Sequence, residues 1–253
     1  MADDLVGVQH DNGIRTLTLD SPANRNALSA RLLEQLEQAL HEATEDSAVR
    51  AVVLTGTGTV FCSGADLSER GSAAPNRMPA ILTTIVESPV PVIASVNGHA
   101  RAGGIGLVAA AHMAVAAEAA TFAFTEVRVG VAPAMILVPA QRVMEPRFLA
   151  RATLTGERFG ASEAMTAGLL TAVTADEAGR EAWVTECTMA LRQAAPGALR
   201  ATTALLRTLR GQSWSDALAD AASTSAALFA GAEAAEGMDA FLQKRRPSWD
   251  TTA

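Results

Sequence analysis

The chain has 253 residues, 49% of them apolar and 19% charged, enough for a sizeable core and far from a disordered composition. Its formal net charge of −7 offers no basic field to nucleic acid, and its two cysteines, Cys62 and Cys187, lack metal or disulfide-framework spacing and suit a reducing compartment. The acidic start Met1-Ala2-Asp3-Asp4 is unlike a signal or transit peptide, so a cytoplasmic location is expected.

Residues 5–10 and 14–19 alternate apolar and polar side chains around Asp11-Asn12-Gly13, which predicts a β-hairpin. After a loop over 21–26, Ser29 caps a helix to about Glu45, with Leu32, Leu33, Leu36 and Leu40 on one face. Residues 49–55 read as a buried strand and 56–64 as a Gly/Thr/Ser loop, and Ala65 begins a short helix. Residues 69–79 read as a mobile surface segment, followed by a helix over 80–87. Pro89 and Pro91 open a strand through Val96, a helix runs from Gly103 to Ala111, and strands cover 113–117 and 120–124. The Ala- and Val-rich run over 90–124 is broken by Asn97, His99, Arg101, His112 and glycines, which favours a buried core segment over a membrane span. Proline-marked stretches at 131–139 and 145–147 delimit further helix. Gly168 ends a helix from Ser162, and 169–173 is the last expected strand. Beyond Asp176 the pattern is helical over 176–194, 197–210, 213–229 and 233–245, with Ser213-x-x-Asp216 as a capping box. Alternating strands and helices followed by helices alone define an α/β core with a helical C-terminal segment.

Two segments carry the chemistry. Val60-Phe61-Cys62-Ser63-Gly64-Ala65-Asp66-Leu67 and Asn97-Gly98-His99-Ala100-Arg101-Ala102-Gly103-Gly104-Ile105-Gly106-Leu107 each leave an apolar strand, pass through small residues and enter a helix-like pattern. Each presents a bare backbone N–H at a helix start. Two such groups aimed at one point stabilise negative charge on a carbonyl oxygen, which points to acyl chemistry. Glu126 follows a short apolar strand, and a carboxylate entering an apolar pocket has a raised pKa and serves as acid or base. The competing reading is a solvated acid paired to Arg128. His99 and Arg101 read as hydrogen-bonded loop residues, His112 as a favourable cation at a helix end, and Cys62 as a packing residue.

The chain resembles the crotonase (enoyl-CoA hydratase/isomerase) superfamily over nearly its full length. The resemblance rests on Pro22-x-x-Arg25-Asn26-Ala27-Leu28, the two turns above, Phe124-Thr125-Glu126-Val127-Arg128-Val129-Gly130-Val131-Ala132-Pro133 and Phe241-Leu242-Gln243-Lys244-Arg245, in that order. It implies a spiral of ββα turns with a C-terminal helical trimerisation region. The core with its coenzyme A and active site would span residues 1–195, and the helical oligomerisation region 196–253. A homo-trimer or a hexamer of two trimers is implied, acting on an acyl-CoA thioester with no nucleic-acid or membrane partner. No metal and no cofactor are expected, because coenzyme A is part of the substrate.

By the same resemblance the N–H groups of Ala65 and Gly103 hold a thioester enolate, and Glu126 matches the family's second catalytic glutamate. Arg25 is implied as a phosphate contact. Ala27, Ser63, Gly64, Ala65, Asp66, Leu67, Gly103 and Gly104 are implied around the adenine and pantetheine. Phe241 and Lys244, the only lysine of the chain, would close the nucleotide end from a neighbouring subunit. The family's first catalytic glutamate falls on Gly106, where the carboxylate is absent and space is left for a branched or larger acyl chain. The expected reaction is hydration of a trans-2-enoyl-CoA with Glu126 handling water and proton. The alternatives are Δ3-Δ2 enoyl-CoA isomerisation by the same groups and a coenzyme A-binding protein without catalysis.

Overall fold

The computed structural model describes residues 4–69, 74–250 and 252. Strands β1 (Val6–Asp11) and β2 (Ile14–Leu19) pair antiparallel about Asn12 and Gly13, both at positive φ, as a tight two-residue turn requires. Helix α1 (Ala30–Glu45) starts where the Ser29 hydroxyl accepts from the Leu32 N–H, and it buries Leu32, Leu33, Leu36 and Leu40.

The chain then repeats one pattern: β3 (Ala51–Gly56), β4 (Val60–Cys62) and α2 (Met78–Glu87); β5 (Val92–Val96), β6 (His99–Arg101) and α3 (Gly103–Ala110); β7 (Met113–Ala117), β8 (Thr121–Ala123) and, after a 3-10 turn, α4 (Ala134–Val143). Next come α5 (Pro146–Thr155), β9 (Phe159–Gly160), α6 (Ala161–Thr166), β10 (Ala172–Thr174) and helices α7 (Glu177–Gln193), α8 (Pro196–Thr208), α9 (Trp214–Phe229) and α10 (Ala232–Leu242). The first strand of each repeat joins a six-stranded sheet ordered β1-β2-β3-β5-β7-β10, and the second joins a four-stranded sheet ordered β4-β6-β8-β9. The result is the expected α/β spiral of ββα turns.

Phe61, Phe122 and Phe124 are fully buried, and the Phe159 ring stacks 5.7 Å from Phe122 and 6.3 Å from Phe124. On the larger sheet, α7 lays Trp183, Val184, Cys187 and Leu191 over Ile14, Ala51, Val53 and Ile93. Beyond α7 the balance changes, because Leu206, Trp214, Leu218, Phe229, Phe241 and Leu242 are all exposed. No described helix is long and apolar enough to cross a membrane.

Several elements depart from the sequence-based expectation. Strands β4 and β6 stand where loop was read, and two or three residues are too short to show a two-residue period. Ala65 makes an isolated parallel bridge to Leu28, and helical geometry starts later, as a 3-10 turn over Leu67–Glu69. Helix α2 begins at Met78, inside the segment read as mobile, while residues 70–73 of that segment lie outside the described residues. The last strand begins at Ala172; Leu169 and Leu170 are buried in the turn after Gly168, whose φ is 89°.

Candidate active site

Three adjacent parallel strands bring the key positions together. Cys62 of β4 pairs with Ala100 of β6, and Ala100 pairs with Phe122 of β8. Ala65 lies three residues past Cys62, Gly103 three past Ala100, and Glu126 four past Phe122. All three therefore leave the carboxyl ends of neighbouring strands, the edge where parallel sheets bind ligands.

The first turn is held from outside. Ser63 N–H donates to the Arg25 carbonyl at 3.1 Å, Leu28 N–H to the Gly64 carbonyl at 2.8 Å, and Asp66 N–H to the Leu28 carbonyl at 3.4 Å. Between these bonds the Ala65 N–H has no acceptor among the described residues, and Ala65 is exposed. Gly64 sits at φ 93°, and a Cβ there would fall 2.9 Å from the Ala102 Cβ, so the two turns touch. Asn26 holds the bracing loop: fully buried, it accepts from Ser21 N–H at 2.8 Å and donates to the carbonyls of Thr57 at 3.0 Å and Val60 at 2.8 Å. Sequence reasoning quoted Asn26 only as part of a motif. Its signal was a polar residue between Arg25 and the apolar Ala27-Leu28 pair, in a loop where Arg25 and Asn26 both adopt positive φ.

Around this turn Arg25 is exposed, and Ala27 is buried with its N–H on Asn24 Oδ1 at 3.2 Å. The Ser63 hydroxyl faces the Asn24 carbonyl at 3.4 Å, and Leu67 is exposed. Asp66 accepts from the Ser68 hydroxyl at 2.6 Å and its N–H at 2.9 Å, bonds that hold the carboxyl below its ordinary pKa.

The second turn is held by the chain itself. Ala102 caps α3 at φ 47° and ψ −119°, a strained conformation for a residue with a Cβ, and its N–H donates to the Ala123 carbonyl at 3.1 Å. Gly103 opens the helix, and its N–H has no acceptor among the described residues, as first-turn amides require. Leu28 and Met78 flank it, and Gly104 is buried against Cys62.

Glu126 begins a 3-10 turn that Val131 N–H closes onto its carbonyl at 3.1 Å. Its Oε2 is buried with no partner, and burial raises its pKa above the ordinary carboxylate value, opposed by a bond to its own backbone. Arg128 does not pair with it; the Arg128 Nε donates to the Thr155 carbonyl at 3.2 Å. The site thus offers two unpaired amides and one desolvated acid.

Gly106 corrects the expectation of spare room. A Cβ at this position would lie 2.5 Å from Ile136 Cγ2 and 3.0 Å from its Cβ. Helix α4 has closed onto α3 there, so Ile136 fills the space in front of residue 106.

The other polar candidates have structural work. His99 Nδ1 accepts from Thr121 N–H at 3.2 Å, and Arg101 donates to the Thr121 carbonyl and, at 2.7 Å, its hydroxyl. His112 was expected as a cation; instead its Nδ1 accepts from Val92 N–H at 3.1 Å, and burial lowers its pKa. Burial pushes the Cys62 thiol up to about 12, which removes it as a nucleophile. Phe241 is 83% exposed on α10, which packs on α9, and Lys244 just beyond it has no side-chain hydrogen bond or ion pair among the described residues.

Residues 9–252 match the enoyl-CoA hydratase/isomerase family model. The chain is 33% identical to a putative enoyl-CoA hydratase of Thermus thermophilus, over 95% of this chain and 99% of that one. A crystal structure of an enoyl-CoA hydratase from Mycobacterium smegmatis superposes with a TM-score of 0.91 at 34% identity, covering 98% of this chain and all of the other. That of human enoyl-CoA hydratase domain-containing protein 3 gives 0.92 at 28% identity, covering 97% of this chain and 100% of that one. The chain belongs to the enoyl-CoA hydratase/isomerase family, the crotonase superfamily, whose fold it shares.

Proposed function

We propose that the chain acts on an enoyl-CoA through a thioester enolate, with the N–H groups of Ala65 and Gly103 on the thioester oxygen and Glu126 as the acid–base group. The reading that the geometry supports best is Δ3-Δ2 isomerisation. The Glu126 carboxylate takes a proton from C2, the electron pair moves onto the thioester oxygen as a dienolate, and the same carboxyl returns the proton at C4, leaving the double bond at C2. One acid suffices because the proton taken is the proton returned. The observation that carries this reading is the half-buried Glu126, whose Oε2 has no partner, together with a filled position 106. Addition of water across a double bond is served better by a second carboxylate to orient the water, and Ile136 occupies the place from which one would reach.

Hydration of a trans-2-enoyl-CoA by Glu126 alone is the second reading, favoured by the hydratase names of the relatives. For coenzyme A, the exposed Arg25 suits a phosphate, and Ala27, Ser63, Gly64, Asp66, Leu67 and Gly104 lie along the turns that would face adenine and pantetheine. The exposed apolar side chains of α8–α10 support a homo-trimer or hexamer built by residues 196–253, with Phe241 and Lys244 reaching a neighbour's nucleotide end.

The test is incubation of the purified protein with a 3-enoyl-CoA and, separately, crotonyl-CoA, following enoyl conjugation. Gain of conjugation from the first and none lost from the second supports isomerisation. Loss from crotonyl-CoA alone puts hydration first. Binding without turnover of either leaves the non-catalytic reading.

A further inference from the structure

Helix α4 meets its two neighbours differently. Against α3 it is sealed by Ile136 on Gly106, but against α2 it stands off. The gap is a groove of about 260 Å³ lined by Pro79, Leu82 and Val86 of α2 and by Met135, Val138 and Pro139 of α4. Its near end adjoins the site: Met78, next to Pro79, has its methyl 3.9 Å from where a Gly103 Cβ would be, and Asn76 bonds the Met135 sulfur at 3.1 Å. Its far end is polar, marked by Glu87 and Arg142, with Arg207 3.7 Å from Glu87.

We infer that this groove takes the acyl chain, and that the substrates are medium-chain acyl-CoA thioesters. The inference deepens the thioester reading above and rests on it. A groove with mostly apolar walls, interrupted by Thr83 and ended by Glu87 and Arg142, suits an alkyl chain better than a nucleotide or sugar. The residues on each side recur at helical spacing, so they form one continuous stripe. From Pro79 to Val86 the helix advances about 10 Å, roughly the length of eight methylene groups. A chain anchored at the two amides therefore runs out of apolar wall at about ten carbons, where the polar far end begins. The space expected at Gly106 is closed, which leaves the α2–α4 side as the route for chain length.

The experiment measures calorimetric affinity for saturated, unreactive acyl-CoAs from butanoyl to tetradecanoyl. An open groove takes about half of each methylene's surface from water, so each two-carbon step should tighten binding about fourfold. The gain should level off beyond about ten carbons. Val138 is 66% exposed, so Val138→Trp should fold, and it should weaken decanoyl-CoA at least tenfold more than butanoyl-CoA. Affinity flat with chain length, or equal loss for both ligands in Val138→Trp, overturns the inference. Because the readout is binding, chain-length dependence without turnover of any enoyl-CoA sinks the catalytic reading and keeps the groove. Turnover with flat affinity does the reverse.

Discussion

The two turns that lead to Ala65 and Gly103 each leave one amide without an acceptor among the described residues, by different means. The first is braced by a separate loop, whose carbonyls and amides bond it on both sides of Ala65 and whose own shape hangs on the buried Asn26. The second has no side-chain cap, and its direction is set by the twist at Ala102 and by the packing of α3 behind it. One donor depends on a polar network that can be cut at a distance. The other depends on local strain that can be relaxed. Glu126 stands apart from both, so it offers a control.

Glu126→Gln should reduce turnover by about 10²- to 10⁴-fold while leaving binding of a saturated acyl-CoA intact, since neither turn is touched. The same variant reports on charge. Burial raises the Glu126 pKa, so the wild-type loses stability as pH rises through that raised value. Glu126→Gln should therefore be the more stable protein at neutral pH, and its advantage should vanish at acid pH in urea titrations. In the wild-type, the acid limb of kcat/KM should fall above pH 4.5, the ordinary carboxylate value.

Asn26→Ala comes next. It strands the Ser21 N–H and the carbonyls of Thr57 and Val60, at a cost of about 2–4 kcal/mol read by chemical denaturation. If the loop aims the Ala65 amide, kcat of the folded variant should also fall about 10²-fold. A destabilised variant with unchanged kcat would show that the first turn holds its shape unaided.

Gly106→Ala tests the support behind the second turn. Its Cβ collides with Ile136, costing about 1–3 kcal/mol, against a helix gain of about 1 kcal/mol. Adding Ile136→Ala should relieve the collision, so the two substitutions should couple in a double-mutant cycle; strict additivity would mean α4 yields freely. The smallest effect belongs to Ala102→Gly, which relaxes φ 47° and should stabilise by about 1 kcal/mol, seen as a higher Tm.

Much of this was legible in the residues. The hairpin, the Ser29 cap, the leucine face of α1 and the two small-residue turns follow from turn chemistry and periodicity, and the family pattern placed Glu126 beyond its strand. What escaped was set by contacts between distant segments. Strands β4 and β6 exist because each pairs with a neighbour, and three residues hold no pattern of their own. Gly106 looked like vacant space because glycine has no side chain, and only the approach of Ile136 from α4 fills it. His112 looked like a helix-end cation, but its ring is recruited by the Val92 amide of the adjoining strand. Asn26 looked like loop polarity and is a buried knot.

The register of β4 on β6 carries one last consequence. Ala65 and Gly103 each lie three residues past the paired positions Cys62 and Ala100. Backbone amides have no chemical identity to lose, so point substitutions at the exposed Ala65 should be forgiven, whereas at Gly103 a Cβ would meet Leu28 Cδ1 at 2.7 Å. Inserting or deleting one residue in either turn should not be forgiven, since it would swing one amide away while leaving every side chain available. In heredity, this site is written more in spacing than in spelling, and length changes are the mutations to which it is most vulnerable.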